Sequence, residues 1–300
     1  MIICGEGLID LVPGQDSQQF QAALGGGPFN VAIAAARQGA AVSFLSRISE
    51  DNFGTQLFAR LSEEGVDTTH IQRGSEPTSL AVSTLNTDGS ANYNFYVEGT
   101  ADRLFDINAT NLSKIDIACF GTMSLALEPG ASSYAALAQR LHSEGTFIAL
   151  DPNIRPLYAT AAHSEFINGF LTHTDLLKMN DEEEEFLGPL RAPITVITRG
   201  AAGIQIIVAE SADGPLDLDI PGVQTTVSDT IGAGDTIMGT LLAEIRRRTR
   251  DTDVRTAAQQ LSRDDWQAIG TAAVTAAAIT VSRPGAQPPS KKELIAALEG

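Results

Sequence analysis

The chain has 300 residues, 43% of them apolar, enough to bury a core as one large α/β domain or two ordinary ones without disulfide or metal staples. Its 37 acidic against 20 basic residues give a formal charge of −17, which argues against nucleic acid or an anionic membrane surface as partner and leaves small molecules. The only two cysteines, Cys4 and Cys119, lie inside apolar runs as core thiols, and no run approaches about 18 apolar residues, so the expectation is a cytoplasmic, unexported protein.

Ile2 to Cys4 reads as a first strand, ended by Gly5. Asp10 follows, where a carboxylate either accepts two hydroxyl hydrogen bonds, as in polyol binding, or turns the chain ahead of Pro13-Gly14. Leu8 to Leu24 has no helical periodicity and reads as further strand. Gly25-Gly26-Gly27-Pro28-Phe29-Asn30 then opens a small-residue helix, Val31 to Gln38, with Pro28 near its first position and Gly39 at its end. Asn30 is a cap or a ligand for a pair of hydroxyls. Val42 to Leu45 is the next strand. Thr78 to Leu85 and Asn92 to Glu98, joined by 86–91, form a predicted hairpin in which Tyr93, Phe95 and Val97 alternate with polar neighbours. Segments at about 11–24 and 76–101 therefore make a small β lid, inserted in two pieces into a single domain of residues 1–300.

The apolar runs Ile115 to Phe120, Phe147 to Leu150, Leu176 to Met179, Ile194 to Ile197 and Ile204 to Val208 alternate with helical patterns, as in a mainly parallel sheet covered on both faces. Such sheets bind ligands beyond the carboxyl ends of their strands, and there stand Asp151-Pro152-Asn153-Ile154-Arg155, Asn180-Asp181-Glu182-Glu183 and Thr198-Arg199-Gly200-Ala201-Ala202-Gly203. Asp213, Asp217 and Asp219 read as surface loop. Asp229-Thr230-Ile231-Gly232-Ala233-Gly234-Asp235 runs into the apolar helical pattern Ile237, Met238, Leu241, Leu242, Ile245. Its small residues leave helix-initial amides free for an anion, while the helix dipole keeps Asp235 ionised as a base. Arg246-Arg247-Arg248 is charge at that helix's end, and Thr271 to Val281 is a small-residue helix ahead of Ser282-Arg283-Pro284-Gly285-Ala286. No P-loop run occurs, and Ile237 stands where a dinucleotide fingerprint built on Gly232 and Gly234 needs a third glycine or alanine.

The heptapeptide at 229–235 and the glycine run with Asn30, Gly39 and Gly54 resemble the carboxy- and amino-terminal signatures of the PfkB, or ribokinase-like, carbohydrate kinases, and the resemblance spans essentially the full chain. It implies a three-layer α/β/α core with a mainly parallel sheet and a β-sheet lid, transfer of the ATP γ-phosphate to a sugar primary hydroxyl, and a homodimer through the lid as one option. It makes Asp235 the catalytic base, with Gly232, Ala233 and Gly234 as anion hole and Arg155 near the transferred phosphate. Asp10, Gly25, Gly26, Asn30, Arg103, Asp151 and Asn153 then face the sugar. Asn180, Thr198, Gly200, Gly203 and Arg283 lie with the nucleotide, and Glu183 with magnesium; a monovalent cation such as K+ is left open. Asp-x-Asn-x-Arg at 151–155, the segment 98–103 and Arg283-x-Gly285-Ala286 resemble the fructokinase branch. Tyr96-Val97-Glu98 lacks the arginine that 2-keto-3-deoxygluconate kinases tend to place there, so fructose is expected ahead of that acid or ribose. A non-catalytic sugar-binding regulator would have no use for Asp235 and the anion hole. One departure is Thr236-Ile237, where the family commonly carries an aromatic residue after the base.

Overall fold

The computed structural model describes residues 1–14, 19–85, 91–112, 114–250 and 252–300. The predicted hairpin turn at 86–90 lies outside them. Among the described residues thirteen strands form two sheets. In chain order they are β1 (Ile2–Cys4), β2 (Leu8–Pro13), β3 (Phe20–Gly25), β4 (Ser43–Ser49), β5 (Ile71–Gly74), β6 (Leu80–Leu85), β7 (Ala91–Tyr96), β8 (Ile117–Gly121), β9 (Phe147–Asp151), β10 (Leu176–Asn180), β11 (Ile194–Thr198), β12 (Gly203–Val208) and β13 (Leu216–Pro221). The larger sheet runs β13-β12-β11-β10-β9-β8-β1-β4-β5. Every pair from β11 to β5 is parallel; β12 runs against both its neighbours.

The predicted three-layer core is present. Helices α1 (Gly27–Arg37), α2 (Asn52–Glu63), α6 (Ala233–Arg248) and α8 (Arg263–Val281) bury one face of the sheet; α3 (Gly130–Ser143), α4 (Ala161–Leu171) and α5 (Asp181–Leu187) bury the other. Two short helices, α7 (Val254–Ala258) and α9 (Lys291–Glu299), complete the set among the described residues. Strands β9 to β11 are buried along almost their whole length, which explains their continuous apolar runs. Cys4 and Cys119 are buried and free, and burial raises both thiols above their ordinary range. No helix among the described residues is long and apolar enough to cross a membrane.

The second sheet, β3-β2-β6-β7, is the small one expected from the segments after Asp10 and around the hairpin. Its inner face carries Leu8, Asp10, Ala81, Phe95 and Tyr93, by the register Asp10 to Ala81 and Ala81 to Phe95. Strand β13 corrects the loop expected at Asp217 and Asp219. Leu216, Leu218 and Ile220 are buried and the two aspartates between them exposed, so the segment is an amphipathic edge strand whose period of two was legible in the sequence.

The chain leaves β1 for β4 and β5 on one side and returns for β8 to β11 on the other. Between β1 and β8 the loops part, and the carboxyl ends of these two strands open a crevice. The small sheet is inserted in two pieces, β2 and β3 after β1 and β6 and β7 after β5, and its inner face lines that crevice.

Candidate active site

Two cavities meet over the first turn of α6. The first, about 400 Å³, is polar: Glu6, Asp10, Asn30, Asn153, Arg155, Lys178 and Asp235 line it with Leu8, Tyr93 and Phe95 from the lid side. The second, about 350 Å³, is apolar, with Ile204, Val223, Val227, Ile237, Val274, Ala277, Ala278 and Val281 among its walls. Thr230 and Gly234 border both. A group held at that turn is therefore reached from either side.

The turn forms because Gly232, the residue before the helix, has φ 76. A side chain there is strained, and its Cβ would stand 2.6 Å from the Cβ of Ala286. Ala233, Gly234 and Asp235 follow as the first helical turn; the Ala233 amide makes a long 3.4 Å bond to the Thr230 carbonyl, and those of Gly234 and Asp235 have no helical partner. Asp235 is buried, and its Oδ2 accepts a 2.8 Å hydrogen bond from Asn30 Nδ2 on α1. Asn30 thus does not cap its helix; Gly26 holds that position. Burial, reinforced by the nearby Asp151 charge and opposed by Asn30, Lys178 and Arg155, pushes the Asp235 carboxyl up to about 7. Burial thus acts against the helix-terminus stabilisation expected from sequence, and the shift is upward. A carboxyl that titrates near neutrality is well matched to general-base work.

On the lid side, Asp10 faces the cleft from β2, and burial, partly offset by Arg155, raises its carboxyl to about 6. Its place requires a glycine opposite, since a Cβ on Gly25 would lie 2.1 Å from Asp10 Oδ2. Gly26 also lines the cleft.

Arg155 and Asn153 line the floor, where Asn153 holds φ 46 and its carbonyl accepts from Tyr158 Oη. Thr198, Gly200 and Gly203 border the apolar cavity. Asn180 and Glu183 instead form a reciprocal cap at the start of α5. Glu183 Oε1 accepts from the Ile154 amide at 2.6 Å and Oε2 from the Asn180 amide at 2.8 Å. With both oxygens on main-chain donors, Glu183 clamps the 151–155 loop onto α5. Asp151 is also displaced from the expected role: it lies beneath the floor, paired with Lys178 at 2.8 Å, and does not line the cleft. Arg103 is turned away too, donating to the Val97 and Glu128 carbonyls and pairing with Glu98. Arg283 pairs with Glu293, outside both cavities.

Sequence reasoning passed over two cleft residues. Glu6, just after β1, is buried and accepts from the Ser124 amide at 3.1 Å and from the Thr122 and Ser124 hydroxyls. Burial raises its carboxyl, and Thr122 beside it holds a φ of 63, unusual for a β-branched residue. Lys178 interrupts the apolar run of β10, the one sign of it in the sequence. Burial alone would lower its pKa, yet Asp151, Glu183 and Asp235 together carry it above the ordinary lysine value.

A buried base over a free helix terminus, between a polar and an apolar cavity, fits transfer of a phosphate group to a hydroxyl. The family model of the pfkB carbohydrate kinases matches residues 2–293. A fructokinase of Rhizobium leguminosarum bv. trifolii is 32% identical over 268 residues, 82% of this chain and 79% of its own. Two solved structures share the fold at 24% identity: a fructokinase of Xylella fastidiosa with bound ATP, TM-score 0.90 over 100% of this chain and 98% of its own, and one of Vibrio cholerae O395 with fructose, ADP and calcium, TM-score 0.84 over 99% and 98%. The two motifs at opposite ends of the sequence, brought together as Asn30 on Asp235, have their counterpart in that match: the chain belongs to the pfkB family of carbohydrate kinases.

Proposed function

We propose that this carbohydrate kinase is an ATP-dependent fructokinase, converting fructose to fructose 6-phosphate. The observation that carries the reading is Asp235: a carboxyl tuned to about 7, held by Asn30 where the polar and apolar cavities meet. The sugar occupies the polar cleft, with Asp10 and Asn30 at its hydroxyls and Tyr93 and Phe95 over its carbon face. Adenine lies against Val274, Ala277, Ala278 and Val281, which directs the phosphates toward Gly234. Magnesium arrives as the counter-ion of the nucleotide, since it dehydrates reluctantly and is commonly carried by substrate phosphates. Among the described residues no cluster of three or more acidic, histidine or cysteine side chains forms a ready metal cage.

Asp235 takes the proton of the primary hydroxyl as its oxygen bonds to the γ-phosphorus, and the bond to the bridging oxygen breaks with its electron pair leaving on ADP. The amides of 232–234 and the Arg155 guanidinium face the charge on the transferred group. A neutral sugar suits this cleft better than a sugar acid. The lid wall carries Asp10 and no cation, Glu98 points to solvent, and Arg103 is held outside, so a substrate carboxylate has only Arg155 and the buried Lys178 to meet. The outer face of the lid leaves Phe20 and Tyr96 exposed, and we assign it to a homodimer contact.

The assay is ADP release with magnesium-ATP and fructose, ribose or 2-keto-3-deoxygluconate. Fructose is expected to have the highest kcat/KM, by ~10²-fold over the acid, because a carboxylate finds a cation in this cleft only by drawing Arg155 from the transferred phosphate or Lys178 from Asp151. A higher value for the acid overturns fructose as substrate and leaves the family assignment intact.

A further inference from the structure

A lysine in the middle of a buried parallel sheet is expensive to desolvate, and such a residue needs a reason. Lys178 is the third residue of β10, on the same face as Leu176, and the register that sets Leu176 beside Ala149 brings it alongside Asp151 at the end of β9. The Nζ to Oδ2 distance is 2.8 Å, with side chains 6% and 5% exposed. A pair that only held the sheet together would be sealed and replaceable by two apolar residues. This one is open on the lysine side alone: Lys178 lines the polar cleft, while Asp151 borders only a water-sized void beneath it.

The ammonium also stands where the fold itself repels it. Lys178 Nζ is 3.4 Å from the point a Cβ on Gly234 would occupy, against the first turn of α6, the positive end of the helix with its free amides. Asp151 pairs with it from below; Glu183 and Asp235 add favourable charge from farther off, but among the described residues neither reaches ion-pair distance of the ammonium. An anion lodged between the lysine and the turn satisfies both positive features at once.

We propose that Lys178 is a further catalytic residue, its Asp151-anchored ammonium contacting the oxygens of the phosphoryl group as it passes from ATP to the sugar. This rests on the phosphoryl transfer described above and leaves its balance unchanged. The oxygen-to-phosphorus bond forms, the bridging bond breaks onto ADP, and the hydroxyl proton goes to Asp235. Lys178 gives hydrogen bonds and keeps all its protons. A lysine suits this point because it is a compact charge that remains in contact with a group changing partners.

The test is the set Lys178→Met, Asp151→Asn and the double variant, with Tm, both KM values and kcat measured from pH 6 to 9. Lys178→Met leaves Asp151 bare in the core, so Tm falls; the double variant removes both charges and recovers it. If Lys178 touches the phosphoryl group, kcat of the double variant remains ~10²-fold or more below that of Asp151→Asn, with the sugar KM changed less than about threefold. A double variant within about threefold of Asp151→Asn in kcat overturns the proposal, because the lysine then serves only to neutralise the aspartate. The comparison leaves out Lys178→Met, so it stands even where that variant fails to fold; in Asp151→Asn the lysine keeps an amide oxygen as hydrogen-bond acceptor and its opening to the cleft. Failure of the kinase reading is a separate result: the unmodified protein would release no ADP with any of the three sugars.

Discussion

The floor of the cleft and its lid wall treat polar groups in opposite ways. On the floor Asp235, Lys178 and Asp151 are all buried, and each is held by a named partner from another element: Asn30 on α1 for the first, and one another for the pair. On the lid Asp10 is half-buried, Tyr93 is 39% exposed, and β3 is open to solvent over most of its length. Burial shifts proton affinities and makes charges act strongly, so groups whose charge matters for chemistry belong on the rigid floor. Recognition of hydroxyls and a carbon face needs position more than field, and a thin sheet supplies it while remaining free to move.

The largest expected effect breaks the floor. Asp235→Asn keeps the shape and removes the base, so kcat should fall by ~10²–10⁴-fold while sugar affinity persists; turnover above a third of the unmodified rate would remove Asp235 from the mechanism. The same carboxyl predicts the pH profile, with activity declining as pH drops through about 7 and Asp235 takes up its proton. Its stability effect has a definite sign. The folded-state pKa is raised, so the contribution of the neutral form is present below the ordinary aspartate value and lost as pH rises through about 7. Asp235→Asn should therefore raise Tm at pH 8 and change it little at pH 4, and equal shifts at both would contradict the burial argument.

On the lid the expected effects are smaller and confined to the sugar. Asp10→Ala should weaken sugar binding by about 1–3 kcal/mol and leave ATP affinity unchanged, as read by calorimetry; equal loss for both ligands would dissolve the division between cavities. Gly25→Ala tests the same group indirectly. Its Cβ would displace the Asp10 carboxylate from 2.1 Å, raising the sugar KM by less than removal of the carboxylate does. The smallest effect is dynamic. Strands β6 and β7 should exchange amide hydrogens faster than β9 and β10 and slow when sugar binds; protection independent of sugar would mark the lid as a fixed interface.

The alternation of apolar runs with helical patterns, the helix starts at 25–30 and 229–235, and the lid strands after Asp10 and at 78–98 were all legible, because each depends on local periodicity or on residues that only a turn accepts. The edge strand at Leu216–Pro221 was legible as well, but its two aspartates disguised a regular alternation as loop.

What the sequence by itself determined is the family and the layered α/β class, and it singled out Asp235 as the candidate base, since these readings rest on local periodicity and on short motifs whose backbone demands are local. What only the tertiary structure decided is where long side chains end and what they meet. Arg103 and Arg283 stand near the expected segments, yet both spend their guanidinium groups outside the cavities, and Glu183 gives its carboxylate to main-chain amides. Lys178 and Glu6, unremarkable along the chain, acquire their importance from burial beside groups distant in sequence, Asp151 and Ser124. The proton affinity of Asp235 was decided in the same way. A helix dipole can be read from sequence, but desolvation is set by everything packed around the carboxyl, and in this site it is the largest cause of the upward shift.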